Sequence, residues 1–339
     1  MLRWLLLRFA WLLVTLFGVT FVTFVMLDQA PVDRAQLEAA QRLADGNFAD
    51  LSARDQAIVK LRVSYGLIDA ETLQPAPVWQ RYTRWLRNAA TLHLAGPEVD
   101  NAAFWRRITE ALPVSMLLGF LGLLFALLVG VPIGAWCGMN AGSRRDRGFS
   151  QGLFVLAGVP EFLMATMLLL VFSAGWLGWF PSGGLRSDGS EHWAVFAQIV
   201  DFGWHLVLPV FVMASGPLVL IARFLRDSVA RVAATPFAAN LYAFGIETEV
   251  ARWRLLRNGG APLATLAGSL LPMLVGGSIV VENLFSLDGL GHLAFRAVHE
   301  QDQAMVMALV LFTSVATLLA LSVSDLLHRL VDPRVRLQA

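Results

Sequence analysis

Few residues in this 339-residue chain are of types and spacings that carry chemistry. One lysine, Lys60, stands among 26 basic residues, in the run Ile-Val-Lys-Leu-Arg with no glycine beside it. A phosphate-cradling loop needs Gly-Lys followed by Ser or Thr, so no Walker-type nucleotide site is expected here. The six histidines, His93, His192, His205, His292, His299 and His328, are scattered, and none falls in a His-Glu-x-x-His or similar ligand spacing. Ser182, Ser215 and Ser228 lack the Gly-x-Ser-x-Gly setting of a serine hydrolase. The single cysteine, Cys137, excludes an internal disulfide and a multi-cysteine metal site, and its apolar neighbours mark it as a small packing residue. The expectation is therefore no catalytic centre, no metal and no cofactor held by this chain.

Two acids stand out because their surroundings are apolar. Glu161 follows Pro160 inside a long apolar run, and Glu282 lies towards the end of another. An acid at membrane depth is costly and is read first as functional. For Glu161 the sequence leaves two readings: a polar passage, or an internal hydrogen bond at the proline kink.

The elements that must hold these residues follow from composition. Hydrophobic residues make up 57% and charged residues 15%, and the mean hydropathy is +0.62. These values indicate an all-α integral membrane protein that crosses the bilayer several times. The net charge of +1 gives no indication of nucleic-acid binding. Residues 1–27 contain an apolar run long enough to span the hydrocarbon, and it reads as a retained first helix. Residues 28–107 form a soluble-type insert. There Ser52 and Asp55 have capping-box spacing before a helix that Gly66 would end, and residues 77–90 read as a helix with Val78, Tyr82, Trp85 and Leu86 on one face. Residues 108–328 hold five further apolar segments, near 108–139, 151–176, 202–224, 263–284 and 305–327, for about six spans in all. Arginines at 144, 145 and 147, at 223, 226 and 231, and in the 329–339 tail place both termini and those loops inside by the positive-inside rule. Trp176, Trp179, Trp193 and Trp204 suit an interfacial belt.

The connecting loop 226–262 contains a stretch, residues 233–262, that is too polar to cross. Thr235 is placed to cap a short helix with Pro236 in its first turn. Gly245 breaks the pattern. Glu247, Thr248 and Glu249 open a second helix, Arg252, Arg254 and Arg257 load its end, and Gly259 with Gly260 stops it. The shape is that of a docking handle on a membrane surface.

At this point the residues resemble a known family. The features are Arg223-x-x-Arg226-Asp227-Ser228; the handle with Ala243 and Gly245 at its centre; the block from Val280 to Gly291 with Glu282, Phe285, Gly289 and Gly291; and the tail Asp332-Pro333-Arg334. Val159-Pro160-Glu161-Phe162 and the loop from Leu177 to Gly184 agree. The chain resembles the inner-membrane permease subunit of ABC importers for dipeptides, oligopeptides and nickel, the subunit with a large outer loop after its first helix. The resemblance implies a type I importer permease fold in a bacterial inner membrane. It also implies a second permease subunit, a paralogue in a heterodimer; separate ATPase subunits that bind ATP and magnesium; and an extracytoplasmic substrate-binding protein. It makes the first short helix of the handle the element that sits in a groove of the ATPase. Glu161 departs from the family, which more often has a small polar residue there; as an acid within a span it is read as facing the path and meeting a substrate ammonium group, or as hydrogen-bonded at the kink. Glu282 and its block are expected to hold the following loop in place.

This copy departs from the family where basic residues usually separate the alanine and glycine. Here the run Asn240 to Gly245 is uncharged. Phe237, Leu241 and Phe244 recur at helical spacing and are expected to form one face buried against the ATPase, with Ala243 and Gly245 at the bend. A helix lying in the headgroup layer is the competing reading. For the whole chain, the alternatives are a proton-coupled secondary transporter, which would show more buried acids and an inverted repeat, or an intramembrane enzyme.

Overall fold

The computed structural model describes residues 2–29, 35–36, 39, 51–64, 67–69, 73–95 and 100–331. Among the described residues the chain is helical, and no strand forms beyond an isolated bridge between Ile68 and Pro75. Two compact units result. One comprises Met1–Glu110 and Leu293–Val315, the other Ala111–His292 and Ala316–Ala339.

The first unit contains α1 (Leu2–Asp28), α2 (Leu51–Ser64) and α3 (Val78–Ala90). Pro77 stands at the N-cap of α3. Of the expected apolar stripe, Tyr82 is fully buried, whereas Val78 and Leu86 stay exposed. Tyr82 inserts among Phe17, Phe21 and Phe24 of α1, and its hydroxyl lies 2.9 Å from Thr20 Oγ1. This arrangement buries the ring and satisfies its polar tip together. Arg81 pairs with Asp28 at the end of α1. Helix α2 already includes Leu51, so Ser52 lies within its first turn and not at a cap, while Gly66 lies outside the described residues.

Onward from there run α4 (Asn101–Met139), α5 (Arg144–Gly158), α6 (Glu161–Leu169), α7 (Val195–Ala233), α8 (Pro236–Ala243), α9 (Thr248–Ser269), α10 (Met273–Gly276), α11 (Ile279–Leu284), α12 (Leu290–His299) and α13 (Gln303–Val331). A widened turn, Leu170–Ala174, extends α6. The second unit is organised on α4 against α7. Gly130, Gly134 and Gly138 lie one turn apart on α4 and bring the two backbones together. A Cβ at Gly134 would stand 2.5 Å from the Ala222 carbonyl oxygen, and one at Gly138 2.7 Å from that of Arg226. With no hydrophobic drive between helices in lipid, such close approach supplies the packing attraction. Around it the core gathers Leu218, Ile221 and Ala222 at one level and Leu118, Met213 and Phe285 at another.

The all-α membrane fold is as expected, and one of the six expected segments is broken. Among the described residues four helices are long and apolar enough to cross a membrane, and a fifth span arises if α5 and α6, bent by 95°, count as one. The segment 263–284 is not a continuous helix. It breaks after Ser269, resumes as α10, and breaks again at Gly277, where φ is +60°. Hydropathy is blind to this because the surrounding Leu, Met, Val and Ile residues keep the average apolar across Pro272 and the Gly276–Ser278 turn. Irregular backbone at such depth survives where protein or water satisfies it.

Candidate functional site

The handle is built by burial on one side and exposure on the other. Thr235 occupies the N-cap position in an extended conformation, but its hydroxyl donates back to the Val232 carbonyl at 2.6 Å and does not cap α8. Pro236 takes the first helical position as expected. Ala238 and Leu241 turn inward against Ala251 and Leu255 of α9, with Met139, Val232 and Ile246 around them. The exit of α8 is a Schellman turn: Ile246 N–H donates to Leu241 C=O at 3.2 Å and Gly245 N–H to Tyr242 C=O at 3.1 Å. Gly245 has φ +67°, and Ile246 closes the motif by packing on the Leu241 cluster.

This geometry corrects the expected docking face. Leu241 is 5% exposed because it anchors the turn within its own chain. Phe237 and Phe244, 42% and 83% exposed, remain outward, as does Ala243. The stop at Gly259 and Gly260 is also corrected, since α9 runs through both and through Pro262 to Ser269. Gly259 is a packing residue: its missing Cβ would lie 2.8 Å from Val229 Cα of α7. Helix α9 therefore joins the handle to an apolar segment without a break. Its arginines Arg252, Arg254 and Arg257 are exposed, and so is Trp253, which periodicity did not single out.

Sequence reasoning missed Asp146. It is 1% exposed and accepts four hydrogen bonds. Arg226 Nε and Nη2 reach its two oxygens at 3.1 and 2.8 Å, Gly142 N–H donates at 2.8 Å, and Ser150 Oγ at 3.4 Å. The available signal was the spacing Ser143-x-x-Asp146, since Ser143 caps α5 by accepting from Asp146 N–H at 3.1 Å.

Glu282 is fully buried, and its carboxylate is saturated. Oε1 accepts from Ser115 Oγ at 2.8 Å and Ser278 N–H at 3.2 Å; Oε2 accepts from Gly291 N–H at 2.6 Å and His292 N–H at 3.1 Å. Ser115 in turn accepts from Leu290 N–H at 2.7 Å. One carboxylate thus ties α4, the start of α11 and the start of α12. Such charge-assisted bonds make the burial tolerable. A Cβ on Gly289 would press on the Glu282 carboxylate, and one on Gly291 would stand 2.8 Å from Ile279 N. Buried Phe285 receives Gly184 N–H at its carbonyl at 2.9 Å, which docks the Pro-Ser-Gly-Gly loop. Asp332, Pro333 and Arg334 lie outside the described residues.

Glu161 is exposed at the first position of α6, and its Oε1 accepts from Ser278 Oγ at 3.1 Å. The bend between α5 and α6 and the Gly277 break thus meet at one polar pair. Among the described residues no group of three or more His, Cys, Asp or Glu is placed to hold a metal ion.

Comparison with known proteins places the chain in a family. Residues 130–337 match the family described as binding-protein-dependent transport system inner membrane component. The chain is 29% identical to the oligopeptide transport system permease protein AppB of Bacillus subtilis, over 94% of this chain and 95% of that protein. It is 28% identical to the dipeptide transport system permease protein DppB of Lactococcus lactis, over 99% and 100%. It is 26% identical to the peptidoglycan transport system permease protein YejB of Agrobacterium fabrum, over 97% and 96%. The chain belongs to the family of binding-protein-dependent transport system inner membrane components, the permease subunits of ABC importers.

Proposed function

We propose that this chain forms half of the translocation path of a peptide importer and takes its energy from separate ATPase subunits through α8. The observation that carries this reading is the handle: a short helix fixed from behind by Leu241 and Ala238, bearing exposed Phe237 and Phe244 and no charge from Pro236 to Ile246. A rigid helix with an apolar outer face suits a helix-in-groove contact. Ala243 and Gly245 shape its exit. Nucleotide and magnesium belong to the ATPase partner, in keeping with the absence of a Gly-Lys-Ser/Thr run here. Peptide cargo is supported by the relatives, whose names specify oligopeptide, dipeptide and peptidoglycan transport. The second half of the path is a paralogous permease, and an extracytoplasmic binding protein delivers cargo. The handle and both termini face the cytoplasm, as the arginine-rich flanks favour.

Glu161 lines the path in this reading. An exposed carboxylate in the middle of an apolar bent pair is not stable against lipid and calls for a polar surface such as a water-filled path.

The experiment is copurification. Phe244→Asp or Phe237→Asp, each on an exposed position, should leave the permease folded and remove the bound ATPase. Full retention of the ATPase by both variants overturns the docking assignment. Peptides eluted from the partner binding protein identify the cargo.

A further inference from the structure

Helix α7 ends in the handle. Ten residues before Pro236, Arg226 grips Asp146 with both prongs of its guanidinium, at 3.1 and 2.8 Å. Its remaining nitrogen, Nη1, donates to Asp227 at 2.8 Å, so the fork is held from both sides. One turn further on, Val229 is fully buried between two glycines, Gly138 of α4 and Gly259 of α9, each placed for close approach. The end of α7 is therefore seized by α9 at Val229 and by the start of α5 at Arg226. Further along, α5 and α7 share an apolar cluster that includes Leu153 and Ala222. Apolar contacts are non-directional and tolerate sliding. A bidentate guanidinium–carboxylate pair has a fixed geometry. At its other end α5 reaches the 95° bend, where Glu161 meets Ser278.

We infer that the Asp146–Arg226 pair is a positioning element of transport: it makes α5 travel with the handle, so that displacement of α8 reaches the bend between α5 and α6. The inference rests on the reading that α8 docks on the ATPase. A push on α8 is carried by α9 and the end of α7 to Arg226. Asp146 then takes it to the first turn of α5, and α5 delivers it to the bend. Asp146 touches no cargo and no nucleotide in this scheme.

The test places spin labels at two exposed positions, Phe154 on α5 and Trp253 on α9, in the complete importer in nanodiscs. Distances are measured with ADP and with ATP. In the otherwise unaltered protein the distance distribution stays the same in the two nucleotide states, because α5 and the handle move together. In Asp146→Asn and Arg226→Met it shifts or broadens on ATP binding. Arg226→Lys, which keeps the charge without the fork, gives an intermediate shift. A nucleotide-dependent distance in the unaltered protein overturns the inference, and so does an unchanged distance in the variants that assemble. If Asp146→Asn does not accumulate, Arg226→Lys alone decides by the same criterion. Failure of the docking reading is seen separately, as ATPase retained by Phe244→Asp.

Discussion

Two glycine-centred turns follow α7, and they do opposite things. The turn at Gly245 stands in the open: a Cβ there would meet nothing within 4 Å, and only the positive φ demands glycine. The turn at Gly277 also has positive φ, but a Cβ would stand 2.6 Å from Glu282 Oε1 and 3.1 Å from Ser115 Oγ. The first is a surface feature that presents side chains outward. The second is a core feature in which backbone and carboxylate fill one another's space. The comparison separates two reasons for a glycine, conformation alone and conformation with volume, which a sequence writes with the same letter.

This contrast can be broken by substitution, read as thermal unfolding of the purified protein in detergent. The largest loss is expected for Glu282→Leu. It orphans the Ser278, Gly291 and His292 N–H groups and the Ser115 hydroxyl, each worth about 1–3 kcal/mol when buried without a partner. Little folded protein should be recovered, and a melting temperature near that of the unaltered chain would show the carboxylate to be dispensable. Gly277→Ala comes next. It combines about 1–3 kcal/mol of backbone strain, since φ +60° with ψ 177° is a region open essentially to glycine alone, with about 1–3 kcal/mol of overpacking against Glu282. Gly245→Ala should cost the strain alone, about 1–2 kcal/mol; a cost equal to that of Gly277→Ala would erase the distinction. Thr235→Ala is expected to stay within about 0.5 kcal/mol, because its hydroxyl bonds back into α7 and leaves the start of α8 uncapped.

The two turns also show what could be read in advance. Handle, bend and the block around Glu282 were legible, because Pro236, Gly245 and the acid in an apolar run each carry a local reason. The facing of Leu241 was not. Helical spacing placed it with Phe237 and Phe244, but a Schellman turn needs an apolar partner for Ile246, and that need turns Leu241 inward. Gly259 read as a stop because glycine ends helices on average, whereas here contact with Val229 fixes it. Likewise, the broken segment before Glu282 is apolar on average, and hydropathy does not register interrupted backbone. Asp146 was hidden among arginines in what looked like a plain charged loop; its partner is 80 residues away.

The stripe Gly130–Gly134–Gly138 has a consequence for how the protein is made. Helix α4 is synthesised before α5, α6 and the loop that follows them, and its partner surface on α7 comes last. Until α7 emerges, these glycine positions lack the backbone they fit against. With α7 in place, the Ala222 carbonyl oxygen lies only 2.5 Å from where a Cβ on Gly134 would be. The closest fit in the second unit therefore depends on a helix that follows α4 in the chain by more than fifty residues.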